Sequence, residues 1–384
     1  MKYSRLSLLL TTAAMATAVS FSLAPAASAT PGHTPAGHSV GAVFVQTDDL
    51  DHNAVIAYDR AADGRLTKVA TYPTGGKGGA EAGAVVDPLA SQGSLTLDRK
   101  HQLLYAVNGG SDTVTVFGVD GSRLTRRQVL PTHGDLPVSV GVSGNLVYVL
   151  NARDGGSITG FTVQGTTLVP LAGSTRALNL VPNGKPEFLQ APSQVAITPD
   201  RDAVIVATKT HGQLLVFPLG DHGRPSASPV VTPSGTVPFA LSFDRAGRLL
   251  VVDATGFASS YRVAHNGNLA LLSQVGPTGQ AAACWSVVVH GRLYAANAGS
   301  NSISSFSLRH GQLALLDATA ASTNAGPVDL AASRHGEFIY QLSGATGVVD
   351  AYRVARDGSL TKIGSVSTGL GSANGKPLEG IAAS

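Results

Sequence analysis

The sequence predicts an all-β fold: a seven-bladed β-propeller with four antiparallel strands per blade, its ring closed by the C-terminal strand joining the N-terminal blade. Three observations predict it. A short apolar strand following a glycine or charged turn recurs along the chain, beginning at Gly41, His101, Gly144, Asp202, Gly247, Gly291 and Gly336. The last four starts stand 45, 44 and 45 residues apart, a spacing that fits one four-stranded blade per unit. The chain also carries 45 glycines and 20 prolines, enough punctuation for many tight turns.

Each unit has the same internal order. A first strand opens near a proline, as in Pro192 to Asp200 and Pro238 to Asp244, and the apolar strand follows it. A polar turn then leads to a third strand with period-2 alternation, as in Ser302 to Leu308 and Val348 to Val354. A glycine turn and a fourth strand complete the unit, as in Asp357 to Val366. The two ends are complementary fragments of one blade. Gly41 opens a second strand with no first strand before it, and Lys376 to Ser384 reads as a first strand with no second strand after it. Pairing the two removes the loose edge of the ring.

Residues 1–29 read as a signal peptide. Lys2 and Arg5 precede an apolar run from Leu6 to Leu23, and Ala27-Ser28-Ala29 has the small-residue pattern of a cleavage site. Residues 30–40 read as a flexible linker and residues 41–384 as one propeller domain. The expected location is therefore secreted, with no membrane association after cleavage. Net charge is +3 and dispersed, which argues against nucleic acid. Cys284 is the only cysteine, so no internal disulfide forms, and a small buried hydrophobe is its expected role. The 11 histidines show no zinc-site spacing; no metal and no cofactor are expected. A monomer is expected.

In a propeller the loops entering the inner strands share one face with the second-to-third turns, and that face is the usual ligand mouth. Two long insertions fall there, Pro73 to Ser91 and Pro170 to Ala191. The glycines around Lys77 and Glu81 predict a flexible loop. The turn residues Asn108, Asn151 and Asn297 are expected to cap their own backbone. The candidate chemistry rests on Glu187, Asp329 and Glu379 as acid/base groups, with Arg176, Lys209, Gln194 and Trp285 as substrate-binding groups. Carboxyls near a narrow shaft need partners or water, so Asp329 and Glu379 stand out.

The blade text GRLYAANAGSNSISSFSL, the third-strand ends SYRV and AYRV, and the turn DGSLT resemble the seven-bladed lactonase family, which includes propeller-type 6-phosphogluconolactonase and carboxymuconate cyclase. The resemblance runs from Gly41 to Ser384. It implies a hydrolase or cyclase acting on a lactone of a sugar acid or carboxylic acid at the channel mouth. The alternative is a non-catalytic extracellular propeller binding a protein, glycan or cell-wall ligand through the same face. Members of the family commonly carry a histidine one residue into an inner strand. Val138, Ser193, Phe239, Trp285 and Val328 stand at the matching places here.

Overall fold

Period-2 strands separated by glycine turns do build the expected ring. The computed structural model describes residues 39–384; the expected signal peptide and all but the end of the expected linker lie outside the described residues. Seven antiparallel sheets follow one another, each of four strands in chain order from the shaft outward, with one short extra strand in blade 3. The inner strands of blades 2 to 7 are Leu95–Asp98, Pro137–Ser143, Gln194–Ile197, Pro238–Phe243, Ala283–Val289 and Pro327–Ala332. Blade 1 takes its inner strand, Glu379–Ala383, from the C-terminus. It pairs antiparallel with Gly41–Gln46 through Phe44 opposite Ala382 and Val45 opposite Ile381. The Ser384 amide and the Ala42 carbonyl add a closing bond of 2.9 Å.

The second strands are the most buried elements. Leu103–Asn108, Leu146–Asn151 and Phe338–Ser343 have no exposed residue, because both faces of a blade pack on neighbouring blades. Where a second strand ends in asparagine, as in Leu103–Asn108 and Arg292–Asn297, that residue clasps the hairpin that follows. Asn108 donates to Thr113 and Thr115, and Asn297 donates to Ser302 and Ser304, at 2.9–3.0 Å. These asparagines therefore do not cap their own backbone as expected; their amides bond third-strand hydroxyls instead.

A tyrosine in the same strands fixes one blade to the next. Tyr148, Tyr294 and Tyr340 donate to the carbonyls of Gly223, Gly358 and Gly64, which sit in the third-to-fourth turn of the following blade. The turn must be glycine for two reasons. Gly64 has φ +93°, and a Cβ there would come within 2.4 Å of the Phe338 ring. The repeated DG turn is therefore the footprint of blade-on-blade packing. Cys284 is buried and its thiol pKa is pushed up by burial, in keeping with a small core hydrophobe.

Two differences from the sequence reading matter. After its outer strand Thr167–Pro170, blade 3 loops out and then rejoins the ladder, with Arg176 opposite Ile158. Arg176 therefore belongs to the outer rim, not to a mouth loop. In blade 6, Ala283 pairs with Asn297 and Trp285 with Ala296, so the unpaired bulge residue at the histidine place is Cys284, one residue before Trp285.

Tyr340→Phe should cost about 1–3 kcal/mol in denaturant unfolding, because it leaves the buried Gly64 carbonyl without a donor. Ending the chain after Lys376, which deletes the closing strand, should cost far more and broaden the transition.

Candidate functional site

The first insertion does not stand beside the mouth as a flexible loop. Its last residues cross the shaft. The Gln92 side-chain amide donates to the Ser286 carbonyl at 3.0 Å and accepts from the Ser286 amide at 2.9 Å, which ties it to blade 6. Its backbone amide donates to Ser193 in blade 4, and its carbonyl accepts from the Ser139 hydroxyl in blade 3. Ser91 bonds in two directions as well: its hydroxyl donates to Val138 and its carbonyl accepts from the Trp285 indole at 2.7 Å. Blades 3 and 4 lie across the ring from blade 6, so residues 87–93 span the opening. Trp285 packs edge-on to Phe239, with ring centroids 5.2 Å apart. It anchors this plug and is only 3% exposed, so it offers no open ligand platform.

Beneath the plug the shaft keeps a cavity of about 300 Å³, lined by Gln92, Gln194 and Asp329 at the plugged end and by Arg99 at the other. Gln194 uses its whole amide on the next blade, donating to the Leu241 carbonyl and accepting from its amide. Four carboxyls crowd this region. Burial and the neighbouring Asp87 push Glu379 well above the usual range. Its neighbour Asp87 is raised by burial as well. Neither Glu379 oxygen receives a donor, which suits a protonated acid. Burial also raises Asp48, and lifts Asp329 to about 7 in spite of amide donors from Ile381 and Leu330. Among the described residues no cluster of three His, Cys, Asp or Glu side chains is placed to hold a metal ion.

Lys209 ties the plug from above. Its ammonium, 2% exposed, meets Glu81 at 3.0 Å and the Ala90 carbonyl at 3.0 Å. Its backbone has φ +49°, a costly conformation for a long side chain, held by the bonds of its turn. Burial lifts Glu81 to about 8 although Lys209 opposes the shift.

Open chemistry lies to one side, between blades 3 and 4. A cavity of about 330 Å³ is lined by Arg153, Asp154, Glu187, Gln190 and His211. Glu187 begins a short helical turn, Glu187–Gln190, formed where the second insertion returns to the ring. One of its oxygens takes the Arg153 Nε at 2.7 Å and the other takes the Ala82 amide. Partial burial works against ionisation, but these two donors outweigh it and hold Glu187 below the usual carboxylate range. Arg153 also reaches Asp135 at 3.7 Å and the Ala80 carbonyl at 3.0 Å. Burial pushes His211 below the usual imidazole range, against an opposing contribution from the Gln190 backbone.

Of the predicted site residues, Asp329, Glu379, Gln194, Lys209 and Trp285 come together around the plug. Glu187 stands apart in the open cleft. Arg176 joins neither: its guanidinium bonds the carbonyls of Pro225 and Ser226 at the outer edge of blade 4. Arg153, His211 and Glu81 are the chemically placed groups that the site reading left out. Arg153 and His211 sit in second-to-third turns, and their position beside the second insertion was the available signal.

A family model described as lactonase, 7-bladed beta-propeller matches residues 36–172, from blade 1 into blade 3. The likeness to that family is thus carried by the first three blades. No curated protein matches the chain by sequence. Among solved structures, a candidate 6-phosphogluconolactonase from Bacteroides uniformis is similar at 15% identity and a TM-score of 0.67, covering 90% of this chain and 99% of that one. The periplasmic gluconolactonase of Pseudomonas aeruginosa is similar at 19% identity and a TM-score of 0.64, covering 89% and 98%. At these identities the structures establish the shared fold.

The raised carboxyl pKa values set a pH dependence. In the folded protein Asp329 and Glu81 hold protons up to about pH 7 and 8 that the unfolded chain releases near pH 4. Their support for folding is complete below pH 4 and is lost as pH rises through that window. The melting temperature should fall by several degrees between pH 5 and pH 8. Glu379→Gln, which mimics the protonated acid, should match the parent at pH 5 and exceed it at pH 8.

Proposed function

We propose that this lactonase-like propeller hydrolyses a lactone of a sugar acid or carboxylic acid, and that the substrate enters the cleft between blades 3 and 4. One observation carries the reading: a histidine kept unprotonated by burial and an arginine held by two carboxylates share the wall of one open cavity. Ester hydrolysis needs a base of pKa near the working pH and a cation where charge develops. In this reading His211 takes a proton from water as the water oxygen bonds to the acyl carbon. Arg153 stabilises the oxyanion. The acyl–oxygen bond then breaks, the ring oxygen takes the proton from His211, and the open-chain hydroxy acid leaves. Glu187, ionised and fixed, positions Arg153 and is not a proton donor.

The groups first assigned to catalysis and to substrate binding around the plug have another use in this proposal. Asp329 ties two inner strands together by accepting from the Ile381 amide, Glu379 is a buried acid of the shaft, and Lys209 and Trp285 hold the plug. We place the protein outside the cell, on the strength of the leader sequence, and propose that it acts alone as a monomer. A second reading, a non-catalytic binder of an extracellular protein or glycan, gains support from the closed shaft and from Val138, Ser193 and Cys284 at the places where the family carries histidine.

The test is a panel of sugar-acid and aliphatic lactones at pH 7.5. His211→Ala should lower kcat about 10²–10⁴-fold, the range of a lost general base. Arg153→Gln should lower kcat/KM, while Glu379→Gln should leave both constants close to the parent. No hydrolysis of any lactone would favour the binder, and full activity in His211→Ala would remove the site.

A further inference from the structure

The opposite face of the ring carries a charge pattern that the lactonase reading does not use. The first-to-second turns of four blades repeat an arginine after an acidic or hydroxyl residue: LDRK (residues 97–100), PDRD (199–202), FDRA (243–246) and SRHG (333–336). The acidic or hydroxyl member is consumed locally. Asp98 accepts from the amides of Lys100 and His101 and from the His101 ring. Asp244 accepts from the amides of Ala246 and Arg248 and from the Arg248 guanidinium. Ser333 accepts from the Phe338 amide. The arginine that follows is left without an acidic partner. Arg201 turns away to blade 3, where it meets Asn145. The other three, Arg99, Arg245 and Arg334, line one cleft of about 850 Å³ with His290 and His335.

The cleft adjoins the shaft, since Arg99, Phe243 and Ala332 line both cavities. Arg99 is held at that junction by two backbone carbonyls, Ala332 at 2.9 Å and Ala383 at 2.6 Å. Burial, and to a lesser degree the nearby charge of Arg334, push its pKa down. Among the described residues no carboxylate lies within 4.0 Å of Arg99, Arg245 or Arg334. The one carboxylate on the cleft wall, Asp244, is already neutralised by Arg248 at 2.6 Å. Gathering like charge around a concave opening without counter-charge costs folding energy unless an anion offsets it.

We propose that this far mouth is a binding site for a small polyanion, a molecule carrying two or more phosphate or carboxylate groups. Guanidiniums suit both, because their planar forks bond either group in pairs. The site is independent of the lactone cleft, which opens on the other face.

Calorimetric titration of the full mature chain at low salt tests it, with pyrophosphate and citrate as the two probes and acetate as the singly charged control. At least one probe should bind, weaken as salt is raised, and bind at least tenfold more weakly to Arg334→Gln and to Arg245→Gln. Pyrophosphate alone would identify a phosphate site, and citrate alone a carboxylate site. Arg153→Gln, on the other face, should bind like the parent. Equal binding by the Arg245→Gln/Arg334→Gln double variant would overturn the proposal, as would acetate binding as tightly as either probe. So would the absence of binding by both probes to a parent protein whose circular dichroism shows it folded.

Discussion

The side-chain amide of Gln92 pairs with both backbone groups of Ser286, a residue 194 positions away on the far side of the ring. That pairing completes an inner strand with a side chain, much as a neighbouring strand would. It also fixes where the rest of the first insertion lies. With Gln92 seated, the Ser91 carbonyl reaches the Trp285 indole and the Ala90 carbonyl reaches Lys209. The opening that propellers commonly offer to ligands is thereby filled with backbone, and the carboxyls beneath it are cut off from water on that side. Their pKa values rise because burial penalises the ionised form and few donors remain to repay it. The chemistry left open to solvent on that face is the material that the plug does not cover, the cleft between blades 3 and 4.

The repeat was the most legible feature of the sequence, for a physical reason. Blades pack through the same few contacts each time: an apolar second strand, an asparagine clasp and a tyrosine reaching a glycine carbonyl. A contact made repeatedly leaves a periodic trace, so strand order and ring closure could be read from Gly41 to Ser384. The plug left no such trace. Gly75, Gly76, Gly78 and Gly79 suggested flexibility, whereas Gly78 and Gly79 in fact lie against the backbone of Asp48 and Gly109 too closely for any side chain. The partners that order the segment come from blades 3, 4 and 6, at sequence separations that no local pattern encodes.

The misplacements have the same origin. Arg176 reads as loop because a five-residue excursion, 171–175, interrupts the outer strand, and nothing local announces that the ladder resumes. Trp285 seemed to occupy the histidine place because Ala283 replaces the proline that opens the inner strands of blades 3 and 5, and the bulge that marks the place shows only in the pairing of Ala283 and Trp285 with the next strand. His211 was passed over as one polar turn residue among many. Its distinction is the Gln190 backbone beside it, supplied by the second insertion from outside the turn. The repeated elements build the frame, and each departure from them is settled by contacts between blades.

Trp285 is the only tryptophan, so its fluorescence reports directly on the plug. The most direct measurement is acrylamide quenching of that emission in the native protein and in Gln92→Ala. A plugged shaft predicts blue-shifted emission and weak quenching in the parent, with quenching rising several-fold in the variant while the far-ultraviolet circular dichroism stays that of a β-propeller. Emission in the folded parent that acrylamide quenches as readily as in the denatured chain would mean that the shaft is open, and would contradict the account.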